Sequence, residues 1–288
     1  MTTTPELLPG LGDIADRYGA ILCDVWGVIH NGRSAFPDAC KALVKFRAGG
    51  GRVILLTNAP VPKAQVIRYF EPLGVPGEAF DDCVSSGDAT RDLLARNADK
   101  AIWRIGADEG WEHDRYLYDG LDLTFADDPG AAQLGLIIGL RDQVKDHPDD
   151  YRSELEAVAK TGLPLVCANP DIQVRIGDKL HWCAGALARI YSAAGGPVVY
   201  PGKPHSAIYD LAREKLSALG DLPPVERILA VGDGPVTDIA GANAEGFDAL
   251  YVGTGLALHE NGDFAKGAAS LLQENNVHAK YAQPGLAW

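Results

Sequence analysis

Asp24-Val25-Trp26-Gly27-Val28 holds the first group in the chain able to do chemistry. Its carboxylate closes an apolar run, Ala20-Ile21-Leu22-Cys23, that reads as a short buried strand. A carboxylate at a strand end, followed by a glycine turn, is placed to face a ligand crevice. Three more polar signatures follow apolar runs: Leu56-Thr57-Asn58, Tyr200-Pro201-Gly202-Lys203-Pro204, and Gly232-Asp233-Gly234-Pro235-Val236-Thr237-Asp238. In an open α/β sheet the carboxyl ends of the strands converge, so these groups are expected to meet in one crevice. Opposed carboxylates suit a hard divalent cation such as Mg²⁺, which also binds phosphate oxygens. A hydroxyl and a lysine suit the remaining oxygens, and a carboxylate attacking phosphorus would form an aspartyl-phosphate.

Positioning these groups requires strands, and the apolar runs supply them. Strands are expected at 20–23, 53–56, 83–85, 101–105, 134–139, 164–168, 197–200, 228–231 and 249–252. Helical patterns lie between, near 38–48, 62–73, 88–97, 149–160, 181–193, 205–218 and 237–244. This alternation argues for an α/β fold with doubly wound parallel sheets and right-handed crossovers. At 288 residues the chain is long for one core, so two domains are expected. No internal repeat, low-complexity tract or long linker is visible.

Composition narrows the partners. Apolar residues make up 47% and charged residues 23%, ordinary for a globular protein. The net charge of −13 disfavours nucleic acid and anionic membrane surfaces. The longest apolar stretch, about 134–140, is too short to span a bilayer, and the opening residues lack the features of a signal peptide. Five cysteines with no CxxC pair point away from disulfides and zinc, toward a cytoplasmic setting. Gly49-Gly50-Gly51 precedes a strand and reads as a helix end and turn; it lacks the spacing of a phosphate loop.

The four segments, in this order, resemble the haloacid dehalogenase-like (HAD) hydrolases, and specifically the class IIA, NagD-like phosphatases. Ala168-Asn169-Pro170-Asp171 resembles that subfamily's Asn-Pro-Asp signature, and Tyr200 to His205 is close to another of its patterns. The long insert between Thr57 and Lys203 matches the place and size of its cap. The resemblance implies a Rossmann-like HAD core from residues 1–85 and 180–288, with an α/β cap over 86–179. It implies Asp24 as nucleophile and metal ligand, Thr57 on a phosphoryl oxygen with Asn58 in support, and Lys203 holding the nucleophile and the transferring group. Asp233 and Asp238 would hold Mg²⁺ together with Asp24 and the backbone carbonyl of Trp26. Gly27, Asn169 and Asp171 would face the substrate, a small phosphorylated metabolite, although Asp171 reads equally as an element of the Asn-Pro-Asp turn. Cap-mediated homodimers are a further expectation.

Trp26 departs from the pattern. The family's phosphatases carry Asp there, which protonates the leaving group and then activates water. An indole N–H has negligible acidity and can do neither, although the backbone carbonyl is retained. General acid–base catalysis is worth about 10²–10⁴-fold, so basic leaving groups such as sugars should suffer most. Acyl and aryl phosphates, whose leaving groups depart as stable anions, need no acid. Two other readings follow from the same residue: a carbon–halogen hydrolase, since 2-haloacid dehalogenases of the superfamily carry an aromatic there, or a weakly active or inactive protein that binds a phosphorylated ligand. The retained Asp233 and Asp238 pattern and the cap-type insert weigh against the dehalogenase.

His30-Asn31-Gly32 reads first as a turn, with His30 as a substitute acid or base the sharper alternative. Asp238 reads either as a metal ligand or as an acidic residue opening a helix. Trp103, Trp111, Trp182 and Tyr191 read as core or cap aromatics, and Glu109, Trp111 and His113 as a polar loop that is either solvated or substrate-facing.

Overall fold

The structure is a computed structural model that describes residues 4–107, 113–176, 179–254 and 263–288. Glu109 and Trp111 lie outside the described residues. The first strands are β1 (Glu6–Leu7), β2 (Ala20–Asp24), β3 (Arg52–Thr57) and β4 (Asp82–Ser85). They are followed by β5 (Ala101–Ile105), β6 (Thr124–Phe125), β7 (Leu134–Ile137), β8 (Leu165–Cys167), β9 (Gln173–Ile176), β10 (Lys179–Trp182) and β11 (Val198–Val199). The last are β12 (Ile228–Gly232), β13 (Asp248–Val252) and β14 (Tyr281–Gln283).

The chain divides into two compact units, one of Met1–Thr57, Ile67–Val84 and Tyr209–Trp288, the other of Asn58–Val66 and Ser85–Ile208. The first holds a seven-stranded sheet in the order β1-β14-β13-β12-β2-β3-β4. The pairs from β1 through to β3 are all parallel. β2 and β12 are buried at every residue, and β3 and β13 at all but their first. That is why they read as unbroken apolar runs: a parallel sheet covered on both faces has no polar side to show.

The second unit holds its own parallel sheet, β11-β8-β7-β5-β6, and an antiparallel hairpin of β9 and β10. The helix Ala184–Ala193 belongs here: Ala184, Leu187, Ala188 and Tyr191 share a buried cluster with Leu165 and Cys167 of β8 and with Trp103 of β5. The helix 184–193 and β11 complete the second sheet, so this compact unit runs to Ile208, where the sequence expectation put the end of the cap at residue 179. His181 and Trp182 are corrected, from a helix start to the last residues of β10. The predicted helix near 237–244 begins instead as a π-helical turn, Pro235–Ile239, and continues as Ala240–Glu245.

All five cysteines are buried and none forms a disulfide. No helix among the described residues is long and apolar enough to cross a membrane.

Candidate active site

Strand register sets the first unit's polar groups. Asp24 pairs with Leu56 of β3, and Cys23 pairs with Val231 of β12. Asp24 and Gly232 are thus level at neighbouring strand ends, and Thr57 and Asp233 each stand one residue further on. β3 and β4 lie to one side of β2, while β12 to β14 lie to the other, so the sheet order switches between β2 and β12. Such a switch point opens a crevice at the carboxyl edge of an α/β sheet, and Asp24 and Asp233 flank it.

Asp24, Asp233 and Asp238 each present an oxygen within 4.8 Å of the others, with Asp24 and Asp238 buried and Asp233 half-buried. Asp238 reaches the cluster because the π-helical turn widens the backbone: the N–H groups of Asp238 and Ile239 both donate to Gly234 O, at 2.9 and 3.1 Å. Its Oδ2 also accepts the Gly234 N–H at 3.0 Å. The residue thus orders the turn and lies among the carboxylates. Oxygen donors this close fit a hard divalent cation, whose charge offsets their mutual repulsion.

Gly27 makes the cluster possible. Its φ is +87°, and a Cβ there would lie 2.2 Å from Asp233 Oδ2, so the carboxylate rests directly on the bare Cα. In the structure Gly27 seats Asp233. Gly27 N–H donates to His30 O at 2.8 Å, and its own carbonyl accepts from the Thr254 hydroxyl.

The Trp26 indole is half-buried and meets His30 edge-on, with ring centroids 5.0 Å apart. It lies against Gly32, φ +80°, where a Cβ would fall 2.5 Å from the ring. His30 is 4% exposed. Burial pushes its imidazole down to about 4, so it is neutral near pH 7. Gly32 N–H donates to His30 Nδ1 at 3.1 Å, which leaves the proton on Nε2. A neutral imidazole is a poor proton donor, and its accepting nitrogen is already engaged. The neighbouring Asn31 builds the turn, its Oδ1 accepting from Arg33 N and Ser34 N, each at 3.0 Å.

The second unit gathers the remaining candidates. Asn58 Nδ2 donates to Asp171 Oδ1 at 2.8 Å and to Lys203 O at 3.2 Å, and Asn58 Oδ1 accepts the Lys203 N–H at 2.8 Å. Both amide protons of Asn58 are engaged, and the side chain clamps the Lys203 backbone. Asn169 Oδ1 accepts the Asp171 N–H at 3.0 Å and so shapes the Asn-Pro-Asp turn. Asp171 orients Asn58. Lys203 is 4% exposed. A groove of about 290 Å³ in this unit, lined in part by His147, Arg152, Trp182 and Arg189, holds none of these residues.

Residues 21–115 match the sequence family described as haloacid dehalogenase-like hydrolase, and residues 200–273 match a second, described as HAD-hydrolase-like. A solved haloacid dehalogenase-like hydrolase from Brucella suis is 40% identical, with 97% of this chain and 100% of that one covered, at a TM-score of 0.84. The chain belongs to the haloacid dehalogenase-like hydrolase family. A possible sugar phosphatase of the HAD superfamily from Cytophaga hutchinsonii shares the fold at 20% identity, covering 97% and 98% of the two chains with a TM-score of 0.77. Human chronophin is 25% identical over 87% of this chain and 86% of its own. The chain spans only 23% of the fission-yeast cardiolipin synthase–hydrolase fusion protein that it also matches.

Within this HAD-like hydrolase, sequence reasoning passed over Thr254. A signal was available, because Thr254 follows β13 at the same carboxyl edge of the sheet as Asp24 and Asp233. It was missed because the run Leu250-Tyr251-Val252-Gly253-Thr254 carries no charged group to mark it.

Proposed function

We propose that this HAD-like hydrolase is a Mg²⁺-dependent phosphatase whose nucleophile is Asp24 and whose substrates are small phosphorylated metabolites. The single observation that supports this most is the set of three carboxylates, with Asp24 at the end of β2 sharing a 4.8 Å cluster with Asp233 and Asp238. A cation held there by those residues and the Trp26 carbonyl would supply positive charge to the phosphoryl oxygens. An Asp24 oxygen attacks phosphorus in line; the new O–P bond forms as the bond to the leaving oxygen breaks, giving an aspartyl-phosphate. The family resemblance assigns the Thr57 hydroxyl and the Lys203 ammonium to stabilising charge on the transferring group. The leaving group departs as its anion, because Trp26 has no proton to offer. Water then attacks phosphorus and releases phosphate and the free Asp24 carboxylate. The five buried thiols fit a cytoplasmic protein.

The test is phosphate release from p-nitrophenyl phosphate, acetyl phosphate and glucose 6-phosphate, in Mg²⁺ and in EDTA, beside Asp24→Asn. Release from the first two that needs both Mg²⁺ and Asp24 is expected. No release from any of the three, in a preparation that binds Mg²⁺, would replace the phosphatase with a phospho-ligand binding protein.

A further inference from the structure

We propose that Thr254 is a positioning residue for the carboxylate cluster, acting through Gly27. The proposal rests on the reading of Asp24, Asp233 and Asp238 as cation ligands. Thr254 stands just past β13, whose residues Ala249 to Val252 are buried, and Gly253 N–H is tied to Gln283 O at 2.9 Å. Its hydroxyl therefore hangs from a rigid base, and it donates to the carbonyl oxygen of Gly27. On the other side of the same residue, Gly27 N–H donates to His30 O at 2.8 Å. Both peptide groups flanking the Gly27 Cα are thus held, one from the neighbouring strand's end and one from the turn that follows.

Two consequences for the cluster follow from elementary geometry. Asp233 sits so close to the Gly27 Cα that a Cβ would come within 2.2 Å of its Oδ2, so a shift of Gly27 moves the surface on which a ligand carboxylate rests. A trans peptide also points its C=O and N–H in opposite directions. With Gly27 N–H fixed on His30 O, the Trp26 carbonyl is aimed away from the turn. Between Trp26 and Ala35 the only strand pairing among the described residues is the isolated bridges Trp26 to His30 and His30 to Ala35. This stretch has no ladder of its own to hold it in register, and the tie from Thr254 supplies a fixed point. Hydrogen bonds one step behind a metal's ligands commonly set its affinity by about 10–100-fold.

The experiment is a Mn²⁺ titration followed by the electron paramagnetic resonance of the free ion, which reads cation affinity without any turnover. The chains are wild type, Thr254→Val, Thr254→Ser and Asp233→Asn, each checked for folding by far-UV circular dichroism. Valine keeps the branched shape of threonine and removes the donor; serine restores it. Thr254→Val is expected to bind Mn²⁺ about tenfold more weakly, with Thr254→Ser within about twofold of wild type. Wild-type affinity in Thr254→Val, or equal weakening in Thr254→Ser, would overturn the positioning role while leaving the cation site standing. A wild-type chain that binds Mn²⁺ no better than Asp233→Asn would remove the cation reading and this proposal with it.

Discussion

At the scale of single residues, the proposed chemistry turns on Trp26. Its indole is seated on Gly32 and the edge of His30, and it offers no titratable proton where the family resemblance leads one to expect an acid. Replacing it with aspartate restores that proton without touching the carboxylates. Trp26→Asp should raise the rate on glucose 6-phosphate by about 10²–10⁴-fold, the usual worth of a general acid, and change acetyl phosphate far less. Parallel kcat/KM measurements on the two substrates check this; an equal change in both would mean that leaving-group protonation is not what Trp26 costs. Gly27 was legible as a turn glycine, but its partner was not. Nothing in Asp24-Val-Trp-Gly announces that a carboxylate more than 200 residues further along the chain will lie against that Cα. Asn58 shows the same limit: the resemblance placed it in support of Thr57, and nothing in the sequence announced that its amide would engage Lys203 and Asp171.

At the scale of elements, the turn from Trp26 to Ala35 makes stability depend on acidity. His30 is buried and its folded pKa lies at about 4, against about 6.5 in an unfolded chain. Between those values the unfolded state binds a proton that the folded state refuses, so stability rises with pH across the window. The contribution is complete above about pH 6.5 and is lost as pH falls toward 4; it amounts to at most about 3 kcal/mol. Urea unfolding from pH 4 to 7 reads it, and His30→Gln should flatten the slope. A slope unchanged in that variant would assign the dependence to other groups. The strands β2, β3, β12 and β13 were legible because full burial leaves an unmixed apolar run. The hairpin of β9 and β10 was not, although Gln173-Val-Arg-Ile and Lys179-Leu-His-Trp alternate as strands do. Half-exposed strands of four residues give a weak signal, and the apolar residues after them suggested a helix that in fact begins at Ala184.

At the scale of the whole molecule, two units were expected from length, and contacts decide where each one ends. The helix Ala184–Ala193 carries an apolar face, but a face alone does not say which of two sheets it will cover; only the contacts with β8 and β5 decide that. The same partition distributes the sulfur atoms. Cys23, Cys40 and Cys83 belong to the first unit and Cys167 and Cys183 to the second, and each is buried. Burial pushes the thiols of Cys40, Cys167 and Cys183 upward, away from the reactive thiolate. The folded protein should therefore be silent to Ellman's reagent, and rapid colour from the native chain would contradict the burial. Alkylation becomes possible only when a unit opens, and mass spectrometry of the tagged peptides would report which one. The chain thus carries its own unfolding clock, with a separate dial for each half and Cys23 placed directly beside Asp24.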